Sequence, residues 1–213
     1  MKYIQSANDI PGWTNVEQHR LYNNVVKQLP KKPKILEIGC GWGKSTWGWL
    51  DALPVGTEYY VLDIFFLNEH KAHLENLYNK ALKYQKNKLA KYIKKSQNKN
   101  KTQYDMFLEC VSQHDNFNYI KKIYKDDYFN WKKQNVIKFD MVYIDGDHSY
   151  EHVSDQLKYF KDVPIVCGDD YKEKSRDYFK GLMTAVDNYI KDNNKKSELF
   201  SNEHEGFYVI YNK

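Results

Sequence analysis

The sequence predicts a doubly wound α/β domain, in which a mostly parallel sheet of about seven strands carries helices on both faces and closes with an antiparallel hairpin. Three observations predict this fold. Short apolar runs alternate with stretches of helical period along 213 residues, a length that suits a single domain. A glycine-rich turn joins the first apolar run to a helix. Two further apolar runs near the end of the sequence are typical of a paired hairpin.

The elements begin with a helix over residues 13–29, for which Thr14 is the predicted N-cap and Glu17 completes a capping box. Pro30 and Pro33 end this helix. Apolar runs then predict strands at 35–38, 59–64, 119–124, 139–145, 163–168, 198–200 and 207–211. Apolar faces of helical period predict helices at 45–53, 104–111, around 153–160, and at 181–190.

Residues 68–102 form a predicted helical insert after the second strand. The segment holds ten lysines against two acidic residues, together with many Asn and Gln. One interpretation is a lid or substrate-binding arm, whose lysines attract a phosphorylated or otherwise acidic substrate. The alternative is a solvated helical hairpin or a dimer contact. We therefore expect one domain over residues 1–213, with a helical N-terminal segment at 1–33 and this insert.

Composition narrows the class of protein. No stretch is long and apolar enough to span a membrane, and the first residues lack the apolar run of a secretory signal. The three cysteines have no metal-type spacing, and their odd number argues against a disulfide framework, so a cytoplasmic protein is expected. The net charge of +5 is concentrated in the insert, which makes a nucleic-acid partner unlikely on charge alone. The sequence leaves open whether the protein forms a homo-oligomer.

The glycine-rich turn is the first candidate site. Gly39, Gly41 and Gly43 follow the first strand, and Ser45 lies in the polar segment that opens the next helix. This geometry lets backbone N–H groups approach a ligand closely. The Rossmann dinucleotide motif spaces its glycines differently, as G-x-G-x-x-G. With Glu37 two residues before the glycines, the run resembles the first motif of class I S-adenosylmethionine (SAM) methyltransferases; the alternative is a tight turn that needs glycine for packing.

Acidic residues follow the next two strands. Asp63 ends the second strand about twenty residues after the glycines, where a carboxylate accepts hydrogen bonds from ribose hydroxyls. Asp126 and Asp127 follow the third strand, where an acidic residue is well placed to meet the adenine amino group. The sequence does not decide between these two residues, and both could be ordinary turn residues.

The last two parallel strands carry the candidate catalytic and metal residues. Asp145 ends the fourth strand, His148 comes three residues later, and Asp169 and Asp170 end the fifth. Carboxylates gathered at one edge of a sheet repel one another, and a divalent cation such as Mg²⁺ would relieve this. We therefore expect a metal site at Asp145, Asp169 and Asp170, and His148 as the base that removes a hydroxyl proton. The alternatives are a turn histidine, ordinary loop carboxylates, and an Asp145 that holds the SAM amino group or caps a helix.

Several segments together resemble a bacterial family of class I SAM-dependent methyltransferases with a Rossmann-like sheet, which includes the macrocin-type sugar and small-molecule O-methyltransferases. The segments are PGW, LEIGCGWGKST, VLDIF, FDMVYIDGDHSYEHV, DDY and AVDNYI. The resemblance implies metal ligands at Asp145, Asp169 and Asp170, and a base at His148. Many relatives have His-Asp in place of Asp169-Asp170, so a metal requirement need not be shared.

The predicted activity is therefore SAM-dependent methylation of a hydroxyl on a sugar or other small metabolite, in surface-glycan or natural-product tailoring. Glu37, Gly39, Gly41, Gly43, Ser45, Asp63, Asp126, Asp127 and Asp145 are the predicted cofactor-binding residues, and His148 and Asp145 the catalytic ones. Three alternatives remain. The acceptor could be a small amine, the insert could give a footprint for RNA or a nucleotide, or the protein could bind SAM without catalysis.

Overall fold

The structure is a computed structural model that describes residues 4–12, 14, 18–65, 91, 94, 101–171, 180–201 and 206–212. Its strands are β1 (Lys34–Ile38), β2 (Glu58–Asp63), β3 (Ile120–Lys125), β4 (Met141–Ile144), β5 (Ile165–Asp169), β6 (Lys196–Ser201) and β7 (Gly206–Tyr211). Its helices are α1 (His19–Val26), α2 (Lys44–Ala52), α3 (Gln103–Val111), α4 (Tyr128–Gln134), α5 (Tyr150–Tyr159) and α6 (Lys180–Asp192). Two short 3₁₀ helices, Ala7–Asp9 and Phe117–Tyr119, complete the described elements.

One seven-stranded sheet has the order β3-β2-β1-β4-β5-β7-β6. β1 pairs in parallel with both β2 and β4, whereas β7 is antiparallel to β5 and β6. The predicted doubly wound sheet with a closing antiparallel hairpin is thereby confirmed. The order of strands reverses between β1 and β4, and in such sheets ligands bind at this crevice, outside the carboxyl ends of the strands.

Helices cover both faces of the sheet because the central parallel strands β1, β4 and β5 are buried on both sides. On one face, α1, α2 and α3 contribute the buried residues Tyr22, Val25, Trp49, Leu50, Phe107 and Val111. On the other, α4, α5 and α6 contribute Trp131, Val153, Leu157, Leu182 and Val186. A third, smaller cluster joins the N-terminal residues Ile4, Ala7 and Ile10 to Trp42 and Trp47 beside the glycine turn.

Two sequence predictions need correction. The first helix begins at His19 rather than near Trp13; Gln18 is its N-cap, and Thr14 lies in a bend. Glu17, the other half of the predicted capping box, lies outside the described residues. Helix α4 was not predicted, because its seven residues mix two buried aromatic side chains with Asn, Lys and Gln and give too short an apolar period.

The predicted insert at 68–102 lies almost entirely outside the described residues, of which only 91, 94, 101 and 102 fall within it. Its end is nevertheless defined, because Thr102 caps α3 in a capping box with Asp105. Within the part of the chain that the structure describes, every helix is too short or too polar to cross a lipid bilayer.

Candidate functional site

Two of the three glycines in the turn are required by packing. A Cβ on Gly39, whose φ is +85°, would lie 2.2 Å from the carbonyl oxygen of Asp145. A Cβ on Gly43, the N-cap of α2, would lie 2.5 Å from the Val111 side chain. Gly41 differs, because the nearest atom to its Cβ position among the described residues is Nε2 of Gln103, at 4.0 Å. The packing alternative therefore explains Gly39 and Gly43, and leaves Gly41 as the place where a ligand could approach.

Asp63 holds the glycine turn by its side chain. Its Oδ2 accepts hydrogen bonds from the backbone N–H groups of Cys40 (2.8 Å) and Gly41 (2.9 Å), and its Oδ1 accepts one from Phe65 (2.7 Å). Burial raises the pKa of this carboxyl, and the backbone hydrogen bonds oppose that shift. In a dinucleotide-binding turn, such N–H groups are offered to a pyrophosphate. Here the Asp63 carboxylate already accepts two of these N–H groups, so they are not offered to a phosphate.

The predicted ribose contact of Asp63 stays a prediction. A carboxylate offers about four lone-pair positions, so three backbone hydrogen bonds leave room for a further donor. Asp126 lies directly beside it, because the backbone N–H of Asp126 donates to the carbonyl oxygen of Asp63 at 3.2 Å. The ends of β2 and β3 therefore form one continuous edge.

The two acidic residues after β3 make local hydrogen bonds. Asp127 is the N-cap of α4 and accepts a hydrogen bond from the backbone N–H of Asn130 at 3.0 Å. Asp126 accepts one from the backbone N–H of Asp127 at 2.9 Å. The structure thus supports a capping function for Asp127, which leaves Asp126 as the better candidate for the predicted adenine contact.

Glu37 is fully buried beneath the turn, with 0% of its surface exposed. Its carboxyl group accepts hydrogen bonds from the hydroxyls of Ser45 (2.6 Å), Thr46 (2.5 Å) and Tyr59 (3.1 Å). Burial raises its pKa to about 8, although these three hydroxyls act in the opposite direction. Glu37 and Ser45 therefore join β1 to the first turn of α2. Direct contact of either side chain with the cofactor remains a prediction.

Asp145, His148 and Asp170 form the one group of potential metal ligands among the described residues, with their ligand atoms all within 4.8 Å of one another. Nε2 of His148 lies 3.7 Å from Oδ1 of Asp145, and Nδ1 lies 3.7 Å from Oδ2 of Asp170. The three side chains are only 10–19% exposed. Because the carbonyl oxygen of Asp145 also contacts Gly39, this group lies beside the glycine turn, as the convergence of strand ends predicts.

Charge in this group favours a proton on His148. Burial lowers the pKa of His148, whereas the carboxylates of Asp145, Asp170 and Asp169 raise it, and the net pKa lies above its ordinary value. Burial raises the pKa of Asp145, against the influence of His148. A divalent cation held by the same carboxylates would compete with this proton, because either positive charge relieves their repulsion.

Asp169 differs from the predicted arrangement. It is 6% exposed, and its Oδ1 accepts hydrogen bonds from Nε2 of Gln18 and from the backbone N–H of Asp170, both at 2.7 Å. The structure thus brings His148, rather than Asp169, together with Asp145 and Asp170. A direct metal contact by Asp169 stays a prediction. Its hydrogen bonds to Gln18 and to the backbone of Asp170 are those of a residue that orients the adjacent Asp170.

Gln18 and Tyr143 are two residues at the site that the sequence analysis did not identify. The hydroxyl of Tyr143 donates to Oδ2 of Asp145 at 3.2 Å. Tyr143 could have been found because strand residues two apart lie on the same face. Gln18 could also have been found, since it shares the helical period of Leu21, Tyr22 and Val25 and is the polar member of that face.

The chain matches known proteins in sequence and in fold. A family described as "Methyltransferase domain" matches residues 36–164. No curated protein sequence matches the chain. Among solved structures, the O-methyltransferase TomG from Streptomyces achromogenes, involved in tomaymycin synthesis and in complex with SAM, is 13% identical with a TM-score of 0.55, over 96% of this chain and 83% of TomG.

Two further solved structures have the same fold. The O-methyltransferase from Bacillus cereus in complex with SAH is 13% identical with a TM-score of 0.54, over 96% of this chain and 86% of that one. A cyclopropane-fatty-acyl-phospholipid synthase-like protein from Lactobacillus casei is 13% identical with a TM-score of 0.54, over 91% and 75%. At these identities the likeness concerns the fold alone. Together with the family match, it shows that the chain belongs to the class I SAM-dependent methyltransferases.

Proposed function

We propose that this methyltransferase transfers a methyl group to a hydroxyl of a small molecule, a sugar or sugar-derived metabolite. The observation that carries the proposal is the half-buried group of Asp145, His148 and Asp170 next to the glycine turn. Two O-methyltransferases among the structural neighbours support an oxygen acceptor. The sugar class rests on the sequence resemblance alone.

The cofactor would lie against the open side of Gly41, across the carboxyl ends of β1 and β2. SAM supplies an electrophilic methyl group when it is bound. Asp63 and Asp126 are the residues that we expect to meet its ribose and adenine, since they lie side by side at this edge. The backbone N–H groups of Cys40 and Gly41 donate to Asp63, which agrees with a nucleoside that carries a sulfonium in place of phosphates.

His148 would accept the proton of the acceptor hydroxyl. The acceptor oxygen would form its bond to the methyl carbon as the carbon–sulfur bond breaks, and the hydroxyl proton would pass to an imidazole nitrogen of His148. The imidazolium that results is stabilised by Asp145 and Asp170, each 3.7 Å from a ring nitrogen. The same carboxylates raise the pKa of His148, so the base form is favoured when another positive charge occupies the site or when the pH rises.

A divalent cation fits the donor set, because two carboxylates and an imidazole lie within reach of one ion. Asp145 and Asp170 would supply oxygen ligands. His148 would either supply a nitrogen ligand or, if it does not bind the cation, act as the base. When bound, the cation would lower the pKa of a hydroxyl that it contacts. Asp169 would contribute through its hydrogen bond to the backbone of Asp170.

The test combines SAM binding with methyl transfer. Calorimetry with SAH checks the cofactor site, and labelled SAM with a panel of nucleotide sugars and small polyols identifies an acceptor. We expect turnover to fall about 10²-fold or more in His148→Gln, with SAH affinity nearly unchanged. Turnover should be lost in EDTA and restored by Mg²⁺ if the cation is needed.

Each contrary result refers to a different part of the proposal. Full turnover in EDTA would refute the metal site, and full turnover in His148→Gln would refute the base. Transfer to amines alone would make the protein an N-methyltransferase, and RNA-dependent turnover with a steep salt dependence would favour a nucleic-acid substrate. SAH binding without transfer to any acceptor class would support a non-catalytic SAM-binding protein.

A further inference from the structure

Helix α1 contacts β4 and β5, the two strands that lead to the group of Asp145, His148 and Asp170, called here the acidic group. Gln18 and Tyr22 lie one helical turn apart, and so on the same face of the helix. Both are buried, at 3% and 0% exposure. Gln18 contacts the end of β5, and Tyr22 contacts β4 through Tyr143. One face of α1 thus meets both strand ends from which Asp145 and Asp169 project.

The contact of Gln18 fixes the end of β5. Its Nε2 donates to Oδ1 of Asp169 at 2.7 Å and to the carbonyl oxygen of Gly206 at 3.3 Å. The same Oδ1 accepts the backbone N–H of Asp170, which has a φ of +62°. This left-handed conformation is uncommon for a non-glycine residue, and Asp adopts it where local hydrogen bonds support it. The Gln18–Asp169 hydrogen bond therefore helps to set the direction of the Asp170 carboxylate, which lies 3.7 Å from His148.

The contact of Tyr22 fixes the end of β4. Its hydroxyl lies 3.4 Å from that of Tyr143, which donates to Oδ2 of Asp145 at 3.2 Å. Aromatic rings surround Tyr143, with centroids 5.8 Å away for Tyr22, 5.4 Å for Trp49 and 6.2 Å for Phe207. Because this cluster is close-packed and fully buried, the Tyr143 hydroxyl has little freedom to move. It holds one oxygen of Asp145 while the other faces His148.

We propose that Gln18 and Tyr143 are positioning residues held in place by α1. Gln18 holds Asp169 and through it the adjacent Asp170, and Tyr143 holds Asp145. As a result, the carboxylates of Asp145 and Asp170 each face one of the two ring nitrogens of His148. The inference deepens the proposed function and rests on it for its catalytic meaning. Neither residue is expected to touch substrate or cofactor. Partners of this kind, one step removed from the reacting groups, commonly change affinity or activity by 10- to 100-fold when they are removed.

The test uses isosteric changes in the full chain, each with a control elsewhere. Gln18→Met and Tyr143→Phe remove one polar group and keep the bulk of the side chain. Gln28→Met removes the hydrogen bond from Gln28 to Tyr211, and Tyr189→Phe removes the one from Tyr189 to Asn212; both lie away from the acidic group. Nitrogen and proton NMR signals of the His148 ring, assigned by their loss in His148→Gln, report on its surroundings without any acceptor. Calorimetry with SAH is run on the same samples.

We expect Gln18→Met and Tyr143→Phe to move the His148 ring signals by several line widths, and the two controls to leave them in place. SAH affinity should stay within about twofold of the wild type in all four variants, because the glycine turn is held separately by Asp63. If Tyr143→Phe fails to fold, Tyr22→Phe, which keeps the ring and removes only the outer hydroxyl, takes its place.

Unmoved His148 signals in both test variants would overturn the inference, even with SAH binding intact. Equal movement in the controls would also overturn it, since any loss of a buried hydrogen bond would then have the same effect. Failure of the wild type to bind SAH would instead contradict the proposed function, and the comparison of His148 signals would still decide whether Gln18 and Tyr143 hold the acidic group.

Discussion

Gly39→Ala and Gly41→Ala should separate two properties of the glycine turn: Gly39→Ala mainly lowers stability, and Gly41→Ala mainly weakens cofactor binding. At Gly39 the new methyl would lie 2.2 Å from the Asp145 carbonyl oxygen and 2.7 Å from the Gly146 Cα, both backbone atoms that cannot turn aside. Left-handed strain of about 1–2 kcal/mol and an overlap worth about 1–3 kcal/mol together lower the free energy of unfolding by roughly 2–5 kcal/mol. That is a large share of a typical domain's stability.

At Gly41 only the strain applies, since the nearest described atom is 4.0 Å from the Cβ position. We expect Gly41→Ala to lose about 1–2 kcal/mol of stability, yet to bind SAH at least about tenfold more weakly, because the methyl would occupy the face where the cofactor is proposed to lie. Urea denaturation and calorimetry measure the two quantities. Wild-type SAH affinity in Gly41→Ala would refute the placement of the cofactor, and equal stability of the two variants would refute the packing argument for Gly39.

Three further predictions concern stability. Burial raises the pKa of Glu37 to about 8, so the folded protein retains a proton that the unfolded chain releases near pH 4.5. The free energy of unfolding of the wild type should therefore fall relative to that of Glu37→Gln between pH 5 and 8, by an amount on the order of 5 kcal/mol at most. Parallel pH profiles of the two proteins in urea denaturation would contradict this. Burial and the charge of Lys44 lower the pKa of His19 to about 4. The wild type should accordingly lose stability relative to His19→Phe as the pH falls from 6.5 to 4, and a constant difference across that range would count against it. Thr102→Ala removes the cap of α3 and should lower the free energy of unfolding by about 1 kcal/mol in thermal or urea denaturation. Thr184→Ala is the control and should cost less, because the hydroxyl of Thr184 donates to a carbonyl within a helix and caps no helix end.

Much of the fold could be predicted from the sequence because local pattern and tertiary structure agree. Every predicted strand is present within a few residues, since buried parallel strands are short apolar runs bounded by turns. The exceptions have physical reasons. In α4, tertiary contacts of Tyr128 and Trp131 stabilise a helix that has little periodic signal of its own. In α1, Thr14 has the composition of an N-cap, but the helix begins at the residue after Gln18.

The candidate site was predictable in position and less so in detail. That strand ends gather Asp63, Asp126 and Asp145 at one edge follows from topology alone. For Asp169 the contact depends on a partner far away in the sequence, Gln18, which lies 151 positions away. Local periodicity indicates that Gln18 is on a buried face, but not which residue it contacts. Asp169 makes this long-range hydrogen bond, while His148 lies together with Asp145 and Asp170.

The position of β7 in the sheet bears on how the protein is made. β7 lies between β5 and β6, although it follows both in the sequence. On the ribosome, the outer edge of Ile165–Asp169 therefore has no partner until residues 206–211 emerge from the exit tunnel. The side chains of this strand are apolar from Ile165 to Cys167, and its open edge presents unpaired backbone N–H and C=O groups, so a nascent chain could pair there with another copy. The same late strand supplies the Gly206 carbonyl that Gln18 contacts, so this contact can form only after β7 has been synthesised.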